Sequence, residues 1–312
     1  MADIICGVDV SSTWLDASIG RDGAFSRFAN SPEGVEALAG FCRKHGVTLV
    51  AMEATGGYEK QPFGLLWARG LPAAIANPRA VRRFAEGMEL LEKTDRIDAG
   101  VIAWYAETKR LKAVEPAGEA QQHVTALVTR LRQLTDLKTA QTNQRRLVSD
   151  PTVLETFKEV ITLLVRQIRS LEAQIAECIG EDPLWRELDK EFRTIKGVAG
   201  RTVARIIAEL PEIGIPTNKA VGKLSGSAPI ARDSGKISGK RSVRGGRAGV
   251  RSILFVVADC VRRYDPDFAA FHKRLTDAGK AKKVIRMALA HKLIVRLNAK
   301  ARDVRKKLTC AT

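Results

Sequence analysis

Four carboxylates of this chain stand at positions where a lone acid is out of place or where two acids share a face. Asp9 interrupts the apolar run "IICGVDV" and Glu53 closes another, "VTLVAME". Acids are disfavoured in strands and rarely buried unpaired. A lone one costs on the order of several kcal/mol unless an ion pair or a cation offsets it. Asp95 and Asp98 in "KTDRIDAG" are three residues apart and so share one face of a helix. Acids from two strands and a helix would make an oxygen-rich cluster suited to Mg²⁺, with Mn²⁺ as the alternative, because such ions take a few carboxylates plus the phosphate oxygens of a substrate. Two of them can activate a nucleophile and stabilise a leaving oxygen in phosphoryl transfer. Each acid alone has a plainer reading. Asp95 and Asp98 lie beside Lys93 and Arg96, as in any charge-laced helix start, and Asp9 could cap the turn that follows it.

The elements that must hold these residues are legible from pattern. Residues 4–10, 14–20 and 23–29 read as three strands joined by tight turns such as "GRDG". "SPEGVEALAGFCRKHG" opens with Ser-Pro and closes on Gly46, the signals of a helix. A fourth strand "VTLVAME", a helix over "GGYEKQPFGLLWARGL", a strand "PAAIAN" and helices from Pro78 to about Glu107, broken near Gly87, complete an α/β domain over 1–115. An acid in the first strand, one ending the fourth and a pair on a later helix match the layout of an RNase H-like nuclease.

From Gln121 the pattern becomes wholly helical, with Val124, Leu127, Leu131 and Leu134 in helical register. Asp150 and Pro151 announce a second helix, whose apolar residues Leu154, Phe157, Ile161, Leu164, Ile168, Leu171, Ile175 and Cys178 step 3, 4, 3, 4 along it. That is a heptad seam, predicting a coiled-coil helical spacer over 116–182. It fits either a hairpin packing on its own neighbours or a coiled coil joining subunits. A third, mainly α-helical and basic domain covers 183–312. Within it "IKGVAGRTVARIIAEL" is similar to a helix-hairpin-helix, in which a Gly-x-x-Gly turn offers N–H groups to phosphate, and equally to an ordinary helix connection.

The net charge of +17 is concentrated at one end: from Val221 onward there are 23 Lys or Arg against 6 Asp or Glu, whereas the first 220 residues hold 29 of each. A polyanion, above all nucleic acid, is the expected partner of that end. No run approaches the ~18 apolar residues of a membrane span, and the N-terminus lacks the basic start of a signal peptide, so a cytoplasmic protein is expected. The five cysteines show no metal-ligand spacing and read as reduced core fillers.

"GVDVS", "MEATGGY", "NPRAVRRFAEG" and "KTDRIDA", in this order, resemble the DEDD, RuvC-like domain of the insertion sequence 110 family of transposases. "IKGVAGRTVARIIAELPEIG" and "SAPIARDSGK…RGGRAGVR" resemble that family's C-terminal domain, so the likeness spans nearly the whole chain. It implies that Asp9, Glu53, Asp95 and Asp98 are a metal-binding tetrad and that Ser234, in "RDSGK", is a second catalytic group. It also implies an RNA-guided recombinase, in which a structured guide RNA from the element's flank pairs with donor and target double-stranded DNA. The serine would attack a DNA phosphate, and subunits of a dimer or tetramer would complete the site in trans. Around Ser234, Lys236, Lys240, Arg241, Arg244, Arg247 and Arg251 could neutralise phosphate charge. On spacing alone Ser225, Ser227, Ser238 and Ser242 compete with it.

Three other readings compete with it. A metal-dependent RuvC-like junction nuclease would use water as nucleophile and leave the basic loop as grip. "GVDVSSTWLDASIG" also resembles the first phosphate loop of actin-like sugar kinases, but no second Asp-x-Gly loop follows. A coiled-coil nucleic-acid-packaging protein would need the basic tail and not the four acids.

Overall fold

The computed structural model describes residues 3–90, 92, 94–231, 233–235, 239 and 241–310. The chain forms two compact units, the first ending at Ala117 and the second starting at Gly118.

The first unit runs β1 (Ile5–Val10), β2 (Trp14–Ile19), β3 (Phe25–Ala29), α1 (Pro32–Lys44), β4 (Leu49–Glu53), α2 (Lys60–Ala68), β5 (Ala73–Ala76), α3 (Pro78–Gly87) and α4 (Asp95–Lys109). Its sheet has the order β3-β2-β1-β4-β5. β1, β2 and β3 are an antiparallel meander, while β4 and β5 join β1 in parallel. Alternation along the strands sorts side chains to two faces. Cys6, Val8, Val10, Leu15, Val50 and Met52 pack with Val35 and Leu38 of α1 and Leu66 of α2. Ile5, Leu49, Ala51, Ala74 and Ala76 pack on the other face with Val81 of α3 and Ile102 of α4. By the same alternation Gly7 and Asp9 of β1, Asp16 of β2 and Glu53 of β4 belong to the α3/α4 face.

What lets α4 lie against that face is Gly7. A Cβ built there would overlap the Ala99 carbonyl oxygen and the Ala103 amide nitrogen of α4, and one on Gly100 would overlap the Arg21 carbonyl oxygen. The helix backbone therefore touches the middle of β1 and the β2–β3 turn.

The second unit begins with α5 (Glu119–Arg145) and α6 (Pro151–Glu181), which pack on each other. α7 (Pro183–Arg193), α8 (Gly200–Glu209), α9 (Asn218–Leu224), a small antiparallel pair β6 (Pro229–Ile230) and β7 (Ser242–Val243), α10 (Ala248–Tyr264), α11 (Pro266–Asp277) and α12 (Lys282–Thr309) follow. One apolar core joins Val124, Val128, Leu131 and Leu134 of α5 to Leu164, Ile168, Ile175 and Ile179 of α6 and on to α12. The expected start of α6 is present, with Pro151 in its first turn and the Asp150 side chain accepting from Val153 N–H at 3.0 Å. The seam ends differently: Ile179 is buried where the 3-4 spacing points to Cys178, as expected of a straight helix that drifts by about 20° per heptad against a 3.5 repeat.

Gly197, with φ +98°, sits in the α7–α8 connection, where a Cβ would lie only 3.0 Å from the Val261 backbone nitrogen of α10, so this turn glycine is used in helix packing. The cysteines are all free, and two of them correct the core-filler expectation: Cys6 and Cys42 are buried, but Cys260 and Cys310 are exposed, one on the outer face of α10 and the other just past α12. No described helix is long and apolar enough to cross a membrane.

Gly7→Val should destabilise the first unit by about 1–3 kcal/mol, the usual range for overpacking, with Gly7→Ala milder. Urea unfolding followed by circular dichroism would measure it, and equal stability of Gly7→Val and wild type would contradict the close approach.

Candidate active site

The structure brings the four sequence-predicted acids of the first unit to one place. Asp9 on β1, Glu53 at the end of β4, and Asp95 and Asp98 in the first turn of α4 all line a cavity of about 640 Å³. Thr94 caps α4, its side chain accepting from Ile97 N–H at 3.3 Å, so that both aspartates fall at the positive end of the helix dipole. That dipole stabilises Asp95 and Asp98 without any ligand. Asp9 has no such support. Burial pushes its carboxyl up from the ordinary value, and the negative charges of Asp98, Asp95 and Asp16 push it further, against a bond from Val10 N–H that lowers it.

Asp16, which pattern reading passes over, is part of this cluster. In β-register Asp9 lies opposite Asp16, and Asp16 lies opposite Arg27. A charged row thus crosses three strands on the face that α4 covers. The Arg27 guanidinium donates to both Asp16 oxygens, at 2.7 and 3.1 Å, and to Asp95 Oδ2 at 2.5 Å. The signal for Asp16 is a second acid at an inward strand position directly across the "SST" turn from the first.

The donor set is chemically suited to a hard divalent cation, being all carboxylate oxygen with one member disfavoured in its charged form. As the side chains stand, no group of three or more His, Cys, Asp or Glu among the described residues is close enough to hold one. Arg27 holds one of the four, Asp95, in an ion pair shared with Asp16. Pattern reading also missed Arg79, Arg82 and Arg83 of α3, which line the same cavity.

Ser234 belongs to the second unit. It is exposed in the connection between β6 and β7, just before Gly235 at φ +55°. Its neighbour Asp233 accepts from Gly239 N–H at 3.1 Å and from Arg241 at 3.0 Å, closing the loop around the serine. At the loop's base Gly226 and Gly246, both at positive φ, touch backbone to backbone, and Arg247 N–H donates to Leu224 C=O at 2.8 Å. Ser225 and Ser227 are buried, hydrogen-bonded to each other at 2.8 Å and, through Ser227, to His291 at 3.2 Å. Ser242 is exposed on β7. Arg244 is exposed, Arg247 is paired with Glu212 at 2.6 Å, and Arg251 donates to Gly245 C=O at 2.6 Å. Lys236, Ser238 and Lys240 lie outside the described residues.

A family model described as "Transposase", built on IS110 elements, matches residues 6–149, and one described as "Transposase IS116/IS110/IS902 family" matches residues 189–273. The chain belongs to the IS110 family of transposases. Over 94% of its length this transposase is 25% identical to the pilin gene-inverting proteins of Moraxella bovis and Moraxella lacunata, covering 94% of each. It is also 28% identical, over 48% of its length, to an IS110 protein of Streptomyces coelicolor, of which it covers 37%. The transposase is a DNA transposase/recombinase.

The raised Asp9 carboxyl has a consequence for the metal-free protein. An acid whose folded pKa lies above its unfolded value contributes stability below the unfolded pKa and loses it as pH rises through the folded one. In chelator the thermal midpoint of the transposase should therefore fall as pH climbs out of the ordinary aspartate range. Asp9→Asn should flatten that fall and melt higher at pH 7. Calorimetry against pH measures both, and an Asp9→Asn curve that tracks wild type would contradict the assignment.

Proposed function

We propose that this transposase is an RNA-guided recombinase of a bacterial insertion sequence, with Asp9, Glu53, Asp95 and Asp98 as a metal-holding tetrad and Ser234 as the nucleophile toward DNA. The observation that carries the reading is the meeting of acids from β1, β4 and α4 in one cavity, on a sheet whose order and strand directions support an RNase H-like, RuvC-like unit. Mg²⁺ or Mn²⁺ held there would supply charge neutralisation and Lewis acidity to a phosphoryl transfer.

The chain's own residues take the remaining roles. Ser234 Oγ forms a bond to a DNA phosphorus while the bond from that phosphorus to a sugar oxygen breaks, and the serine proton ends on the released sugar hydroxyl. A hydroxyl of the exchanging strand then attacks the phosphoserine and restores Ser234 with its proton. Phosphodiester energy is conserved, so no nucleotide cofactor is needed. Arg241 and Arg244 of the same loop are suited to the phosphate charge. Guidance by a structured RNA rests on the family resemblance, and it assigns the choice of DNA to base pairing, as in other guided systems.

The α5–α6 hairpin is read as a coiled-coil contact between subunits. Its distal half leaves Leu137, Leu147, Val153, Val160 and Leu163 exposed, an apolar surface of the kind that marks an interface. Val160→Glu with Leu163→Glu should lower the sedimentation mass of the full chain toward the monomer. Unchanged mass would remove the hairpin from the assembly.

Asp9→Asn and Ser234→Ala should each reduce strand exchange by about 10³-fold or more, the scale seen when one member of a concerted catalytic set is lost. Asp9→Asn should also lose calorimetric Mg²⁺ binding, whereas Ser234→Ala should keep it and lose a denaturant-stable protein–DNA adduct. Free cut ends without an adduct in the wild type would favour the junction-nuclease reading. RNA co-purified from cells carrying the native flanking DNA should be a single species mapping beside the gene, and random cellular RNA would remove guidance.

A further inference from the structure

We propose that Arg79 and Arg83 of α3 form the phosphate-gripping wall of the carboxylate cavity and hold a nucleic-acid strand across Asp9, an inference that rests on the acid cavity being where DNA is processed. α3 is fixed by its own local chemistry. The Asn77 side chain caps it by accepting from Ala80 N–H at 3.2 Å, and Pro78 opens its first turn. Val81 and Ala85 are buried against the sheet, with Ala80 and Phe84 packed beside them. Those contacts leave Arg79, Arg82 and Arg83 on the exposed side, where all three line the cavity that Asp9 of β1, Glu53 of β4 and Asp98 of α4 also line, together with Glu86 and Glu92.

Local preference argues against this arrangement. Cations near a helix N-terminus oppose the macrodipole, and like charges three and four residues apart repel. The first turn of α3 holds no acid that would offset them. Arg82 is compensated by Glu86 at 3.0 Å. Arg79 and Arg83 have no ion pair or hydrogen bond among the described residues.

The ligand follows from the two walls. An acid wall alone repels a polyanion, and an arginine wall alone binds one anywhere. Together they suit an anion that brings a divalent cation to the acids and leaves its other oxygens to guanidinium forks. A phosphodiester strand has that chemistry, since each phosphate offers two unesterified oxygens and Arg matches them as a planar pair of donors.

The test uses the full chain carrying Asp9→Asn and Asp98→Asn, so that no divalent cation is needed to offset the acids. Binding of a fluorescent branched DNA is measured in chelator against KCl concentration. Adding Arg79→Ala with Arg83→Ala to that background should flatten the slope of log affinity against log salt by about 1.4–1.8, from ~0.7–0.9 per phosphate contact. Arg79→Lys with Arg83→Lys should restore it. Melting by circular dichroism checks folding, and Arg79→Gln with Arg83→Gln replaces the alanine pair if that pair unfolds. A slope unchanged from the background overturns the proposal. Failure of the acid-site reading appears elsewhere, as full strand exchange by Asp9→Asn alone, whatever the salt slope of the arginine variants.

Discussion

The contact on which the placing of the first unit's acids depends is the seating of α4 on β1 at Gly7. Two residues along the same face of the strand is Asp9, and at the start of the same helix are Asp95 and Asp98. A side chain on Gly7 would meet the helix backbone at Ala99 and Ala103, and one on Gly100 would meet the β2–β3 turn. The distance between the acid of the strand and the acids of the helix is thus set by an absence of atoms at these glycines. An ångström of displacement costs an active site far more than it costs a core, since misplacement of about that size can remove 10²-fold in rate. Small residues here serve alignment more than packing energy.

Around that contact the protein keeps unlike charges in an unresolved balance. Asp9 is pushed toward its neutral form by burial and by three neighbouring acids, yet Asp16 and Asp95 are both taken by Arg27. Arg27 reaches in from β3, at the end of the row that runs Asp9, Asp16, Arg27 across the meander. One guanidinium pairs with the buried Asp16 and the exposed Asp95 and does not reach the half-buried Asp9. The raised Asp9 carboxyl is the electrostatic counterpart of that arrangement.

Much of this was legible in the sequence, and the parts that were not share a cause. Strand alternation, the Ser31 and Asp150 caps and the breaks near Gly46 and Gly87 located the elements, because those signals are local. Glu53 and Asp9 were conspicuous because they interrupt apolar runs. Asp16 was not, because "WLDASI" has the alternation of an ordinary half-buried strand and its inward position emerges only from pairing with β1. Arg79 and Arg83 carry no signal of their own in the sequence and gain one only from lining the same cavity as the acids. The end of the α6 seam moved from Cys178 to Ile179 because a repeat written in sevens does not track a helix of 3.6 residues per turn. The loop around Ser234 depends on Gly226 meeting Gly246, twenty residues away, and on Asp233 reaching Gly239 and Arg241, contacts that no window of sequence contains.

The basic C-terminal third requires a finer reading than its net charge. Several of its cations donate to backbone carbonyls: Arg251 to Gly245, Arg286 to Phe255, Lys292 to Asp267, and Arg305 to both Ile213 and Pro211. Such bonds leave the formal charge in place but commit the side chain to fixing a turn or a helix end. Burial even lowers the Arg305 guanidinium from its ordinary value. Long-range attraction of a polyanion uses every charge, whether or not its side chain is free. Close phosphate contact needs the uncommitted ones, and in the serine loop Arg244 is exposed while Arg247 and Arg251 hold the loop's base. The same composition therefore serves two ends at once, a long-range positive field and a scaffold that fixes turns and helix ends.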